Sequence, residues 1–254
     1  MTNSFRINEE NLAANGRVFP MTINECDVFV KQRDTEKFKI FHKIQELVYW
    51  LTRIPMLAPT ILKRDENCVL FQVEKMTAVH AAGVQVPKIL YHTLDYFVME
   101  NSGESLVDIL KKNPADASRL CAAAIRELAH LHRAGFAHGG AQIRNFVEKN
   151  GVITMIDFEE RIPEKHLDTF KIRDILLFFL STEKARLNLD YHELCKIYQD
   201  ETGIDVYAML SQILRRGRLV SHLVRAKNWL GIRKGSELEH FSRLVEKISN
   251  SKTV

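Results

Sequence analysis

Apolar residues recur every three or four positions along several stretches of this chain and gather into short continuous runs along others. That mixture predicts helices and strands within one fold. Phe38, Phe41, Ile44, Leu47, Val48 and Leu51 give an amphipathic helix over 35–53. A second helix is expected over 68–83, and a third from Pro114 to Arg133, where Leu120, Ala124, Leu128 and Leu131 share a face and Gly135 follows as a C-cap. Val28-Phe29-Val30 and Tyr96-Phe97-Val98-Met99 are rich in β-branched and aromatic residues and read as strands. Asn150-Gly151 accepts positive φ at both central positions of a tight turn, so the apolar-rich runs 146–148 and 152–156 pair as a hairpin. After an irregular stretch containing Pro163, Arg173-Asp174 opens the run Ile175 to Leu180, which is apolar on all sides and expected to be buried. Ser236-x-x-Glu239 reads as a capping box before a last amphipathic helix.

With 254 residues, 46% of them hydrophobic, the chain can bury a sizeable core and suits one two-lobed unit better than two independent domains. Internal repeats and low-complexity tracts are absent from the sequence. Met1 to Arg6 lacks the apolar stretch of a signal peptide, and Ile175 to Leu180 is too short to span a bilayer, so a cytoplasmic protein is expected. Cys26, Cys68, Cys121 and Cys195 are scattered without C-x-x-C spacing, which indicates neither a zinc ribbon nor a disulfide framework. His130 and His132, two apart on one helix, diverge around its axis and suit no shared metal.

The net charge of +4 is unevenly placed: residues 211–254 hold ten Lys/Arg against three Asp/Glu. Arg215, Arg216, Arg218, Arg225, Lys227, Arg233 and Lys234 offer a surface for an anionic acceptor, membrane headgroups or, less readily, RNA. They equally suit the solvated face of helices whose apolar sides, with Met209, Ile213 and Leu223, pack inward.

The hairpin carries the chemistry. Asn145 precedes its first strand and Asp157 ends its second, so the turn brings an amide oxygen and a carboxylate to one end. Hard oxygen ligands grouped there suit Mg²⁺ carrying phosphates.

A helix, Leu-His-x-x-Gly at 131–135, His138-Gly139-Gly140, then Asn145, the hairpin, Ile156-Asp157-Phe158 and Arg173-Asp174 before a buried helix follow one another in order. This resembles the C-lobe of small atypical kinases, namely the bacterial lipopolysaccharide core kinases acting on heptose or Kdo and the compact kinase of the KEOPS complex. The resemblance implies an α+β, two-lobed protein-kinase-like fold: a small β-containing N-lobe over 1–100 with the inserted helix 35–53, a hinge at 101–103, and a mostly helical C-lobe over 104–254. It implies ATP and Mg²⁺ as cofactors, Asn145 and Asp157 as metal ligands, Lys31 on the phosphates, backbone near Met99, Glu100 and Asn101 facing adenine, His132 as a structural histidine, and Asp174 tying down the catalytic loop. The helix over 35–53 resembles a long segment that lipopolysaccharide core kinases carry after the phosphate-pairing lysine; it packs on the core or lies on a membrane.

The chain departs from the family at several points. The general base is expected at position 140, which is Gly140; Gln142, Glu159, Glu160 and His166 are candidates to orient an acceptor hydroxyl. Val84-Gln85-Val86-Pro87 resembles the exit of the regulatory helix, whose glutamate normally pairs with the lysine. Counted back from Gly83 its place falls on Gln72, giving a neutral Lys31–Gln72 contact, unless a register shift brings in Glu74. Gly16 is the one early glycine, so no G-x-G-x-x-G cradle is present, and no Ala-Pro-Glu anchor follows Asp157. The resemblance implies phosphorylation of a sugar or glycolipid hydroxyl; the alternative is a catalytically impaired module that binds nucleotide or a partner.

Overall fold

A short helix α1 (Glu9–Ala14) is capped by the Asn8 side chain, which accepts from Asn11 N–H, and leads into strand β1 (Val18–Ile23). Asn24 and Glu25 turn the chain with φ of 49° and 63°, and β2 (Cys26–Gln32) returns antiparallel to β1. The computed structural model describes residues 5–33, 67–216 and 237–250. The helix expected over 35–53, the basic residues Arg218, Arg225, Lys227, Arg233 and Lys234, and Ser236 of the capping box lie outside those residues. Helix α2 (Cys68–Ala81) has its first turn capped by the Asn67 carboxamide. Strands β3 (Ile89–His92) and β4 (Tyr96–Glu100) then complete an antiparallel sheet in the order β1-β2-β4-β3.

The two-residue period of β4 explains its place in the middle of two apolar layers. Tyr96 and Val98 face a small cluster with Ile7, Phe19, Val28 and Val30, while Phe97 and Met99 face the main core with Met76 and Val79 of α2. The Ile7 N–H donates to the buried Tyr96 hydroxyl at 2.9 Å and ties the chain's start to this layer.

After residues 101–103 comes a second antiparallel sheet, β5-β6-β7, made by β5 (Glu104–Ser105), β6 (Phe146–Lys149) and β7 (Val152–Met155). The β6–β7 hairpin turns on Asn150 and Gly151 with φ of 53° and 83°. Gly103 has φ +113°, and a Cβ there would stand 2.0 Å from the Glu148 carbonyl oxygen. Only glycine lets the link pass so close to β6. Gly103→Ala is expected to cost about 2–3 kcal/mol in urea unfolding, as a backbone clash that must be relieved by displacement; an unchanged midpoint would contradict the close approach.

The other described elements are mainly helices: α3 (Leu106–Lys112), α4 (Ala117–Arg133), α5 (Leu167–Lys184), α6 (Tyr191–Thr202), α7 (Val206–Arg216) and α8 (Glu237–Asn250). Pro114 to Asp116 form a 3₁₀ turn rather than the start of α4, and α5 begins at Leu167, before the Arg173 expected to open it. Pro163 precedes the short 3₁₀ turn Glu164–His166 that feeds α5, so the proline starts helical structure instead of delaying it. Leu120, Ala124, Leu128 and Leu131 of α4 are fully buried, and Gly135 follows in the left-handed region at φ 86°. Glu183, 2% exposed, accepts from Tyr191 Oη at 2.7 Å and Lys247 Nζ at 2.6 Å, and so fastens α8 to α5 and α6. A small antiparallel sheet at one end and a helical body at the other give the α+β class expected of a kinase-like chain.

Candidate functional site

The register of the β6–β7 hairpin sets the site. Phe146 pairs with Met155, and the Ile156 N–H donates to the Asn145 carbonyl at 2.9 Å, so Asn145 and Asp157 flank the same end of the hairpin. Asn145 is buried, and its Nδ2 donates to the Gly140 carbonyl at 2.8 Å. That bond uses the amide's donor and leaves its oxygen as the group able to meet a cation. Asp157 has φ 71°, a conformation that costs a non-glycine residue about 1–3 kcal/mol and that clusters at functional sites. The next residue, Phe158, is wholly buried and stacks on His138 with ring centroids 4.5 Å apart, which holds Asp157 at the surface of the core.

Lys31 reaches this end from β2. Only 5% exposed, its ammonium lies 2.5 Å from Asp157 Oδ1 and 2.6 Å from Glu159 Oε1. Burial is the largest single influence on Asp157 and opposes its ionisation, but the Lys31 charge and hydrogen bond, with a smaller contribution from Glu159, together outweigh it and hold the carboxyl down at about 2. Burial raises the Glu159 carboxyl beyond what Lys31 offsets, and the neighbouring Asp157 charge adds to the rise. Arg17 also pairs with Glu159. It arrives on the turn after α1, where the Gln32 side-chain amide donates to the carbonyls of Leu12, Asn15 and Gly16 at 2.8, 3.3 and 3.1 Å. Gly16 marks this turn in the sequence, yet nothing local indicates that Arg17 meets a residue 142 positions away.

The loop before Asn145 is organised by Asp174. Fully buried on α5, its carboxylate accepts from the backbone N–H of His138 at 2.7 Å, of Gly139 at 2.9 and 3.2 Å, and of Ala141 at 3.4 Å. His132 Nε2 faces it at 3.4 Å, while His132 Nδ1 lies 2.8 Å from the Tyr198 hydroxyl. Burial lowers the His132 pKa, so the ring is neutral, donating to Asp174 through Nε2 and accepting from Tyr198. Burial works against ionised Asp174, but the His132 hydrogen bond and the backbone donors hold it in the carboxylate form. His138 is likewise kept neutral by burial, donating Nε2–H to the Ile156 carbonyl at 2.8 Å and accepting from Gly140 N–H at 3.2 Å.

On α2, Gln72 is buried and Glu74 exposed. Gln72 Nε2 donates to the Cys68 carbonyl at 3.2 Å, and its Oε1 is buried without a partner. The neutral Lys31–Gln72 contact expected from the sequence is not made: two carboxylates from the other side of the site already hold Lys31. The residue that does link α2 to the site is Lys75, which the sequence comparison of positions 72 and 74 passed over. Its Nζ donates to the carbonyls of Glu160 at 3.0 Å and His138 at 3.4 Å and lies 5.4 Å from the Phe158 ring centre. Burial pushes its pKa down to about 8.

At the link between the two sheets, Met99 is buried, Glu100 exposed and Asn101 half-buried. The Asn101 side chain accepts from Gly103 N–H at 3.0 Å, and its carbonyl accepts from Lys149 Nζ at 2.9 Å. Gln142 precedes the 3₁₀ turn Ile143–Asn145, and His166 ends the turn before α5.

Among the described residues no group of three or more His, Cys, Asp and Glu side chains is arranged to hold a metal ion. One amide oxygen and one ionised carboxylate form a different donor set, incomplete alone but matched to a hard cation whose remaining ligands come from phosphates and water, with the buried Lys31 ammonium beside them suited to phosphate oxygens. The residues present therefore fit Mg²⁺ with a nucleotide. No described helix is long and apolar enough to cross a membrane.

No protein-family model matches the chain. It is 32% identical over 137 residues to an uncharacterized protein of Haemophilus influenzae, an alignment covering 52% of this chain and 57% of that protein, so the match spans little more than half of that relative. It is 30% identical over 189 residues to a probable serine/threonine-protein kinase BUD32 homolog of Archaeoglobus fulgidus, covering 71% of this chain and 93% of that protein. Kinase-like proteins of this kind generally use ATP and Mg²⁺. Similarity along almost the whole of that relative, on a fold with a small antiparallel N-lobe and a helical C-terminal part, makes this chain a member of the BUD32-like family of kinase-like proteins.

Proposed function

We propose that this chain is an ATP- and Mg²⁺-dependent phosphotransferase acting on a compact hydroxyl acceptor such as a sugar or glycolipid. The observation that carries the reading is the convergence of Lys31, Asp157 and Asn145 on one corner, with Lys31 buried and ion-paired there. Asn145 and Asp157 would hold the cation, Lys31 would contact phosphate oxygens once nucleotide competes for it, and the backbone from Met99 to Asn101 would meet adenine. Bound there, Mg²⁺ would neutralise charge on the phosphoryl group being transferred.

Support for a compact acceptor comes from the segment after Asp157. It runs through one 3₁₀ turn into α5 at Leu167 and carries no Ala-Pro-Glu anchor, so it offers little platform for an extended peptide. The name of the Archaeoglobus relative points instead to serine and threonine. The basic residues between Arg215 and Lys234 suit an anionic acceptor or headgroup at the inner face of a membrane. Gly140 favours a second reading, a kinase-like module that binds nucleotide without turnover.

Calorimetric titration with ATP, with and without Mg²⁺, tests the site. We expect binding at least tenfold tighter with the metal, about 1.4 kcal/mol. Absence of ATP binding would remove both nucleotide readings, and brisk phosphorylation of peptides would overturn the acceptor class.

A further inference from the structure

Position 140 has no side chain, yet the stem of a glutamate crosses the space beside it. Gly139 has φ +90°, and a Cβ built on it would stand 2.5 Å from Glu160 Cβ and 3.1 Å from Glu160 Cγ. A Cβ on Gly140 would meet Glu160 Cγ at 4.0 Å and His138 Nδ1 at 3.9 Å. Glu160 thus lies across the surface that two consecutive glycines expose. The Gly140 carbonyl is the group that Asn145 grips, so this surface adjoins the cation corner.

The other nearby carboxylates are committed. Asp174 accepts backbone N–H bonds in the core, and Asp157 and Glu159 are ion-paired with Lys31. The backbone of Glu160 is fixed by Lys75, which donates to its carbonyl, and Glu160 interacts electrostatically with Lys75 and Arg173. A half-buried glutamate on an anchored backbone is an arrangement that can take a proton from a substrate.

Resting on the phosphotransferase reading, we propose that Glu160 is the general base of this chain, replacing from the Asp157 segment the carboxylate that Gly140 lacks. In the step, the acceptor hydroxyl oxygen forms a bond to the γ-phosphorus of ATP. The bond from that phosphorus to the bridging oxygen breaks, its electron pair leaves with ADP, and the hydroxyl proton passes to a Glu160 carboxylate oxygen and from there to solvent. With water as acceptor the same steps release inorganic phosphate.

The test measures Mg·ATP affinity by calorimetry and phosphate release from ATP in water for four proteins: wild type, Glu160→Gln, Gly140→Asp, and the double variant Gly140→Asp/Glu160→Gln. Glu160→Gln is expected to keep the Kd within threefold while kcat falls 10²-fold or more, the usual scale for a general base. A Cβ at position 140 meets nothing closer than 3.9 Å, so a side chain can start there, and the double variant is expected to recover at least tenfold over Glu160→Gln. Unchanged kcat in Glu160→Gln overturns the assignment and leaves the phosphotransferase reading standing. So does a fall in kcat that Gly140→Asp does not rescue, because it marks a merely structural role. Mg·ATP binding without phosphate release by the wild type overturns the base but keeps the nucleotide site; no binding at all overturns both.

Discussion

Asp174→Ala is expected to cost about 3–5 kcal/mol of folding stability, because several buried donors lose one shared acceptor at once. The backbone N–H groups of His138, Gly139 and Ala141 lose their acceptor, and the fully buried His132 ring loses the partner that fixes its tautomer. Asp174→Asn should cost less, because its oxygen still accepts while its amide nitrogen opposes the same donors. Denaturant unfolding of the two variants checks both the size and the order. A loss below about 1 kcal/mol for the alanine variant would mean that the loop before Asn145 does not depend on this carboxylate.

Asp157→Asn should abolish the metal-dependent increment in ATP affinity while leaving the protein folded, since Lys31 keeps Glu159 as a partner. The same variant has a signature without nucleotide. The folded-state Asp157 carboxyl lies at about 2, below its ordinary 3.8, so ionised Asp157 contributes stability that is fully present above pH 3.8 and is lost as pH falls through about 2. Between those values the wild type should lose stability more steeply than Asp157→Asn. Parallel acid-unfolding curves would show that the Lys31–Asp157 pair is not energetically coupled in the folded protein, and retained metal dependence would place the cation elsewhere.

The fold was legible wherever local chemistry decides structure. Asn150-Gly151 announces its turn because few other dipeptides accept positive φ twice, and the period of α4 with Gly135 after it marks both a face and an end. Arg173-Asp174 marks where the apolar run opens but not where α5 begins, which is at Leu167, directly after the 3₁₀ turn Glu164–His166. Lys31, Asn145 and Asp157 were singled out from spacing and resemblance, and the chain brings Lys31 and Asp157 into contact across 126 positions. The electrostatic partners were not legible. Arg17 and Glu159 meet only through folding, and Lys75 is not marked by the spacing that points to Gln72 or Glu74, because its link is an ammonium on backbone carbonyls.

That last feature bears on how such a protein is controlled. In a design where a glutamate on the mobile helix must swing in to grip the lysine, the helix is a throttle that other proteins or modifications can open and close. Here Lys31 is gripped from the opposite side, and α2 is moored through Lys75 to the carbonyls of His138 and Glu160. Swinging α2 would not release Lys31. The lysine and the helix are thus held by separate contacts, and displacing one leaves the other's in place.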